Sequence, residues 1–485
     1  MKKKTLLISV LVIALCVSLI CGATFALFTD EVTTNVVISG GKVEIDVKIK
    51  SMTLYSLDAS TQEITEQQDI FATGGTATLV GNNLTLENIV PGDGVKLLLA
   101  VENKSSVAIQ YAIIVAVDNT VVNGTYKLSD VLEASIDGEP ISNDIPVWNS
   151  LDAGEDFPSD TIEVAVSLPV TVGNDYQGLT CSIDIIPYAV QGNANVDNLK
   201  LAYTQEQFES ALANAEAGDK IELAAGTNYE LGANYQIPEG VTIEGDANTV
   251  LTVGNEDSTS GTGLAITNDN VTISNLTIVG KNIYQSSNAD YAGVVRITAN
   301  NVTLDGVTVE STKNNTSAIV IASTTHGGDD NVITLKNCNV KARFRALFIV
   351  DGTSGSIVLD HCNLDGVYTF NVNTNSVLQA IDLSDTTLHG WTSYSNVNHV
   401  TFTNCAFSKG TSGYDFFRPY NDTDLINCSF DSSFTFDAGK AGITLTFTNP
   451  TLPAGINSVA DLIDEDAEVA FHYIVDGVAN EYTPA

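Results

Sequence analysis

A unit of eight residues recurs along the second half of the chain, with apolar residues at its positions 1, 3, 6 and 8. Positions 1 and 3 alternate as in a β-strand, and so do positions 6 and 8, whereas the phase slips by one residue between them. The starts lie 19 to 31 residues apart, and a period of this size indicates a stack of repeats. Seven clear copies and two looser ones begin at Val271, Val302, Ile333, Ile357, Ile381, Val400 and Thr423, and at Val241 and Ile443.

Position 5 of each unit carries residue types that tolerate a left-handed backbone, so the chain is expected to turn there. A strand, a one-residue corner and a second strand, rising about 4.8 Å per repeat, make one rung of a parallel β-helix. The nine copies therefore predict a stack of about nine rungs. The corner residues are Asn275, Gly306, Asn337, His361, Asp385, Asn404 and Asn427.

Four cysteines share position 6 of the unit, where Leu276 and Val307 stand in other rungs. This placement favours an internal stack of small apolar side chains. A disulfide between the first two stays open as an alternative, since they lie in adjacent rungs. The four are Cys338, Cys362, Cys405 and Cys428.

The repeat resembles the right-handed parallel β-helix of the pectin-lyase-like superfamily over roughly residues 200–450. A capping box at 204–207 opens a short helix that is expected to cover the first rung. The predicted β-helix domain with this helix is 204–450, and 451–485 form its C-terminal cap. The resemblance implies the fold but no single activity, because this scaffold carries lyases, hydrolases, adhesins and inert spacers.

The first part of the chain, 27–190, shows alternating strands separated by Gly, Asn, Pro and Asp clusters, and no long amphipathic helix. An antiparallel β-sandwich is predicted, so the fold class of the whole protein is all-β. A linker is expected at 191–203. The clearest strands are Asn35–Ser39, Val43–Lys48, Val95–Val101, Ile109–Ala116, Ile162–Leu168 and Cys181–Val190.

Several motifs in this part are similar to TasA/camelysin-type surface proteins, among them Ala26–Asp30, Val90–Asp93 and Val101–Ser106. The resemblance implies a jelly-roll-like sandwich, export by a dedicated signal peptidase, and self-assembly into matrix fibres. The segment Thr33–Ser39 is either an ordinary first strand or a donor strand for a neighbouring subunit. A zinc protease is not expected, because the first histidine of the chain is His326.

The charge is strongly acidic: 59 Asp and Glu against 21 Lys and Arg give a formal net charge of −38 over 485 residues. Such a surface repels nucleic acid and anionic membranes. Residues 1–26 have the basic, apolar and small-residue regions of a secretory signal peptide, and no later stretch is long enough to span a bilayer. We therefore expect a bacterial protein located outside the cell or on its surface, with no resident cofactor; weak calcium binding is left open.

Candidate chemistry is densest in the middle of the predicted stack. The carboxylates and cations that acid/base sugar chemistry would need are Asp329, Asp330, Arg343, Asp360 and His361. A basic group that would bind an anionic glycan is Lys341, Arg343, Arg345 and Arg418. The complete motifs of pectate lyases and polygalacturonases are missing. The sequence thus favours a non-enzymatic surface or matrix protein that adheres or binds glycans, with a polysaccharide lyase or glycoside hydrolase as the alternative.

Overall fold

The structure is a computed structural model, and its described part divides into two compact units, one before and one after the boundary between Asp197 and Asn198. The predicted signal peptide and the candidates Asp329 and Asp330 lie outside the described residues. The described residues are 32–38 (backbone), 43–58, 64–67, 71, 73–141, 146–153, 159–232, 235–254, 261–281, 283, 292–314, 316–322, 331–350, 353–372, 377–410 and 416–484.

The first unit is a sandwich of two antiparallel sheets, as predicted. Its strands are β1 (Val32–Ile38), β2 (Val43–Leu57), β3 (Ile64–Gln67), β4 (Thr76–Val80), β5 (Asn83–Glu87), β6 (Asp93–Asn103), β7 (Ile109–Val121), β8 (Glu133–Ile136), β9 (Glu139–Pro140), β10 (Asn149–Leu151), β11 (Ser159–Ser167) and β12 (Thr180–Gln191). One sheet has the order β1-β2-β6-β11-β8-β9, with β3 also paired to β2, and the other has the order β10-β7-β12-β5-β4.

Alternation along the strands builds the core of the sandwich. In β6 the apolar side chains of Val95, Leu97 and Leu99 are buried, and Ile183 and Ile185 of β12 alternate in the same way. These inward residues join one cluster that is separate from the core of the second unit. Among the residues described here, the sandwich contains only short 3₁₀ turns besides its strands, in agreement with the expected lack of helix.

The edge strand β1 pairs with β2 of its own chain over seven residues, from Val32 opposite Ile49 to Ile38 opposite Val43. This is the arrangement of an ordinary first strand. The donor-strand alternative concerns a second subunit and stays a prediction.

The Val90–Asp93 motif has a structural role. Asp93 is buried, and its carboxylate accepts hydrogen bonds from Ser56 Oγ at 2.6 Å, Thr73 Oγ1 at 2.7 Å and the Val90 amide at 3.0 Å. A buried carboxylate with three donors is well compensated. The motif therefore joins the end of β2 and two loop segments of the sandwich around one carboxylate.

The second unit is a parallel β-helix. Its strands in chain order are β13 (Leu199–Ala202), β14 (Lys220–Leu223), β15 (Asn228–Leu231), β16 (Thr242–Glu244), β17 (Val250–Val253), β18 (Thr262–Ile266), β19 (Thr272–Ser274), β20 (Thr277–Gly280), β21 (Gly293–Ile297), β22 (Thr303–Asp305), β23 (Thr308–Ser311), β24 (Ser317–Ile321), β25 (Val332–Lys336), β26 (Asn339–Ala342), β27 (Arg345–Ile349), β28 (Ser354–Asp360), β29 (Asn363–Val372), β30 (Val377–Ser384), β31 (Thr387–Tyr394), β32 (Val397–Thr403), β33 (Ala406–Ser408), β34 (Phe416–Pro419), β35 (Thr423–Ile426), β36 (Ser429–Phe430), β37 (Thr435–Phe436), β38 (Thr444–Thr448), β39 (Phe471–Val475) and β40 (Val478–Tyr482).

Successive rungs of this unit pair in parallel on three faces. The first face runs β13-β14-β16-β19-β22-β25-β28-β30-β32-β35-β38-β39, and β40 is added antiparallel at its end. The second face runs β15-β17-β20-β23-β26-β29, the third runs β18-β21-β24-β27-β29, and the long strands β29 and β31 join the two. Strand β13 lies within the stretch 191–203 that the sequence analysis assigned to a linker, so the connection between the units is shorter than expected.

The corners between the first and second faces confirm that the chain turns at position 5. Every residue predicted to turn there has a positive φ, from 48° at Asp385 to 67° at Gly306. Side-chain amides then bond from rung to rung: Asn404 Nδ2 donates to Asp385 Oδ1, Asn427 to Asn404, and Asn449 to Asn427, each at 3.1 Å. We call this series the corner ladder.

The inward positions form a continuous core, as the pattern predicts. Position 6 holds the four cysteines of the sequence analysis, each at most 3 % exposed. Thr386 occupies position 6 of the rung between those of Cys362 and Cys405 and is 1 % exposed. All four are free thiols, which agrees with the apolar stack rather than with a disulfide. The thiols donate to backbone carbonyls, for example Cys338 Sγ to Lys336 O at 3.2 Å.

Both ends of the described stack are covered. At the start, helix α1 (Gln205–Ala213) has the predicted capping box between Thr204 and Gln207 and buries Phe208. At the end, β40 pairs antiparallel to β39 and closes the first face. Antiparallel closure and a helical cover both protect the edge of a parallel sheet from pairing with another chain.

Candidate functional site

A row of polar side chains crosses the outer surface of the second face at position 9, directly after the last inward position of the unit. Strand register places Glu310 opposite Lys341, Lys341 opposite Asp365, Asp365 opposite His389, and His389 opposite Ser408. We call these five residues the position-9 row. Because the strands are parallel and in register, the five side chains point outwards from consecutive rungs.

The position-9 row borders a cleft of about 630 Å³. Its charged lining comprises Glu310, Lys341, Asp365 and Arg343, and the backbone amide of Arg343 is held to Ser311 O at 3.1 Å. The cleft thus combines two carboxylates with two cations, with one cation directly between the carboxylates. We call it the mid-stack cleft.

His389 extends the row beyond the cleft. Its Nδ1 is hydrogen-bonded to Ser408 Oγ of the next rung at 2.5 Å, and both side chains are half-buried. This contact fixes the orientation of the imidazole ring and leaves Nε2 as the nitrogen that is not committed to Ser408.

Aromatic side chains line the third face beside the cleft. Tyr368 and Trp391 stack with ring centroids 5.0 Å apart, and Phe344 meets Tyr368 edge-on at 5.8 Å. The guanidinium of Arg345 lies 4.2 Å from the Phe344 ring and 4.1 Å from the Phe348 ring. The rings pack against one another and against the guanidinium of Arg345. They therefore stabilise neighbouring rungs and form an apolar wall.

The four predicted binding residues do not form one patch. Lys341 and Arg343 line the mid-stack cleft, whereas Arg345 lies among the aromatic rings. Arg418 approaches Asp437 with its Nε at 3.4 Å from Oδ1. Burial raises the pKa of Asp437 above its usual value, and the charge of Arg418 acts in the opposite direction. Arg418 therefore belongs to a partly buried ion pair on a later rung.

Asp360 and His361 lie at a corner between the first and second faces. His361 has φ 53°, and its Nδ1 lies 2.8 Å from Asp360 Oδ1. Ser384 Oγ donates to the same oxygen at 2.7 Å, and this bond together with His361 lowers the pKa of Asp360. Of the three predicted catalytic residues within the described part of the chain, Arg343 lines the cleft, and the roles of Asp360 and His361 stay predictions.

Glu310 and His389 were missed by the sequence analysis, which named no residue at position 9 as part of a row. The signal was present, because position 9 of consecutive units reads Glu310, Lys341, Asp365, His389 and Ser408. Aligning the units rung by rung, rather than looking for motifs along the chain, would have found the row.

No protein-family model and no curated protein sequence matches this chain. Solved structures show distant similarity. The Agl-KA catalytic domain is 10 % identical at a TM-score of 0.27, covering 87 % of this chain and 97 % of its own. The pectin methylesterase from Aspergillus niger is 14 % identical at 0.32, covering 55 % and 89 %. The alginate lyase from Paenibacillus sp. is 13 % identical at 0.32, covering 57 % and 99 %.

At these identities and TM-scores the similarity carries no statement about activity. The fold follows from the strand pairing of the protein itself. Among the described residues, no helix has the length and apolar character needed to cross a membrane.

Proposed function

We propose that the β-helix acts on a polysaccharide bound across the mid-stack cleft, with Glu310 and Asp365 as its acid/base pair. The observation that carries the proposal is the register of the second face, which sets these two carboxylates on either side of Lys341 along an open cleft. Hydrolysis of a glycosidic bond needs such a pair, one carboxyl to protonate the leaving oxygen and one to activate water.

The spacing of the rungs suits this chemistry. Neighbouring rungs are about 4.8 Å apart, so the backbones that carry Glu310 and Asp365 are separated by about 10 Å. Side chains of this length can bring the carboxyl groups to about 6.5–9.5 Å, the separation that leaves room for a water molecule in an inverting hydrolase.

The cations of the cleft indicate the class of substrate. Lys341 and Arg343 offer donors to a carboxylate or sulfate of an acidic glycan, and Arg343 can bind such a group in a bidentate manner. On a protein with a net charge of −38, two neighbouring cations are the local feature that would hold an anionic chain in place.

Binding of an acidic glycan without cleavage is the second candidate. It is favoured by the exposure of Glu310, because general acids are usually held in apolar surroundings that keep them protonated. In either case the protein is proposed to work outside the cell. The sandwich would then serve as the TasA/camelysin-like domain that attaches the β-helix to a surface or matrix.

The test is turnover of the full chain on a panel of polyuronates and neutral glycans, with and without calcium, measured by new reducing ends and by unsaturated products. We expect saturated products from an acidic glycan. Turnover should fall about 10²- to 10⁴-fold in Glu310→Gln and Asp365→Asn, the usual range for loss of a general acid or base. The matched control is Asp382→Asn, a carboxylate on β30 of the first face.

The remaining outcomes separate the alternatives. Unsaturated products would indicate a lyase instead of a hydrolase, with a basic group of the position-9 row removing the proton. Absence of turnover on the whole panel, with glycan affinity lost in Lys341→Gln plus Arg343→Gln, would establish the binding candidate. Absence of both turnover and binding would remove the cleft from the function.

A further inference from the structure

Three metal-ligating side chains converge at one corner of the β-helix, away from the residues that line the cleft. One ligand atom of Asp360, one of His361 and one of Asp385 all lie within 4.8 Å of one another. Asp360 and His361 lie at the corner of one rung, and Asp385 occupies the same corner position in the next rung. We propose that these residues bind a divalent transition-metal ion of the zinc class.

The residue types at this corner differ from the asparagines of the following rungs in the corner ladder. His361 and Asp385 have φ values of 53° and 48°, so both occupy the left-handed corner position. In the following rungs the same position carries Asn404, Asn427 and Asn449, whose amides bond to one another. Asparagine would satisfy the turn at His361 and Asp385 as well, so the turn alone does not explain an imidazole followed by a carboxylate.

Neighbouring donors orient the two carboxylates. Ser384 Oγ donates to Asp360 Oδ1 at 2.7 Å, and Asn404 Nδ2 donates to Asp385 Oδ1 at 3.1 Å. Hydrogen bonds of this kind hold metal-ligating carboxylates in position and are part of most functional metal sites. Each carboxylate oxygen has a second lone pair that can bind an ion.

The distances are close to those of a coordination sphere. His361 Nδ1 and Asp360 Oδ1 are 2.8 Å apart. Two ligand atoms bound to one zinc ion at 2.0–2.2 Å lie about 3.3–3.6 Å apart in a tetrahedral arrangement. A small opening of the His361–Asp360 pair and a small approach of Asp385 would therefore place all three around one ion.

The donor set indicates the type of ion. One imidazole nitrogen with two carboxylates suits zinc, cobalt or manganese, whereas calcium prefers six to eight oxygen ligands. The His361 side chain is 60 % exposed, which leaves positions for water on the ion. Lys336 is aligned with Asp360 on the preceding rung and Asp305 with Lys336 one rung further away, so the cation is the nearer of these two charges.

The experiment uses the full chain and two metal probes. Cobalt(II) is titrated while its visible absorption is recorded, and zinc(II) is titrated by calorimetry in the presence of excess calcium, which occupies diffuse acidic sites. We expect one equivalent of cobalt to develop an absorption band that zinc then removes.

Two variants keep the corner geometry and remove ligands. His361→Asn and Asp385→Asn introduce the residue that the ladder carries elsewhere, so the rung is expected to fold, which circular dichroism without metal verifies. Affinity should fall by about tenfold or more in each, since loss of an orienting partner alone costs that much. Matched controls are His399→Asn, an exposed histidine bonded to Thr401, and Asp382→Asn.

The proposal is independent of the cleft. Glu310→Gln should bind zinc like the unchanged protein, whatever its effect on glycans. A protein without a stoichiometric cobalt band, or with unchanged zinc affinity in His361→Asn, would show that the corner holds no specific metal site.

Discussion

At the scale of single residues, Asp246 links consecutive rungs through one carboxylate oxygen. Its Oδ1 accepts hydrogen bonds from the Gly226 amide at 3.0 Å, Thr249 Oγ1 at 2.8 Å and the Asn248 amide at 3.1 Å. The bond from Gly226, followed by that from Thr249, lowers the pKa of Asp246 below its usual value. The carboxylate is therefore more stable in the folded protein than in the unfolded chain.

This shift predicts a pH dependence of stability. A lowered folded-state pKa stabilises the fold above the unfolded value of about 3.9, and the contribution disappears as pH falls through the lower folded pKa. The free energy of unfolding, measured with urea at neutral pH and below pH 4, should fall less on acidification in Asp246→Asn than in the unchanged protein. Asp197→Asn, an exposed carboxylate, serves as the control. Equal slopes for all three proteins would contradict the role of Asp246.

At the scale of the element, the corner between two strands combines a backbone requirement with a side-chain ladder. Asn404 has φ 55°, donates to Asp385 and accepts from Asn427. The left-handed conformation and the two amide bonds contribute separately to stability, and two substitutions can separate them.

Replacing Asn404 by alanine should destabilise the β-helix by about 2 kcal/mol, because alanine adopts the left-handed conformation at a cost of about 1–2 kcal/mol that the polar side chain of asparagine reduces, and because ladder bonds are lost. Replacing it by glycine should cost about 1 kcal/mol, since glycine accepts the backbone and only the ladder is lost. Chemical denaturation measures both. Gly306 shows that glycine is accommodated at this position. If both variants lost the same stability, the backbone requirement would be absent.

The element scale also shows how much the sequence could predict. The apolar residues at positions 1, 3, 6 and 8 and the left-handed residue at position 5 depend on local geometry alone, so the strands, corners and inward cysteines follow from them. The position-9 row depends on register between rungs whose connections differ in length. Glu310 and Asp365 are 55 residues apart in sequence. Their place in one row becomes visible only when the intervening rung, which carries Lys341, is aligned with both.

At the scale of the whole molecule, the two units have separate hydrophobic cores. The core of the sandwich reaches Ala189, and the core of the β-helix begins at Ala202. The Gly192 amide donates a hydrogen bond to Ala108 O in the sandwich. The Lys220 amide donates a hydrogen bond to Asn198 O in the β-helix. The chain passes from one unit to the other between Gly192 and Asn198.

A polypeptide of residues 198–485 is therefore expected to fold alone, since each rung contacts mainly its neighbours and the first is covered by α1. Calorimetry should give it a melting transition that coincides with one transition of the full chain. Residues 221–485, which lack β13 and α1, are the matched control and should melt at a lower temperature. A fragment 198–485 that failed to fold would mean that the sandwich is needed to complete the stack.

The direction of the bonds between rungs has a mechanical consequence. Thr303 N bonds to Val271 O and Thr334 N to Val302 O, so these bonds run along the axis of the stack from one rung to the next. Tension applied between the two ends of the chain therefore peels one terminal rung at a time, while the rungs behind it carry the load intact. Each rung released adds its own contour length. For repeats of 19 to 31 residues this is about 65 to 105 Å, so the protein would lengthen under force in unequal steps that reproduce the order of its long and short rungs.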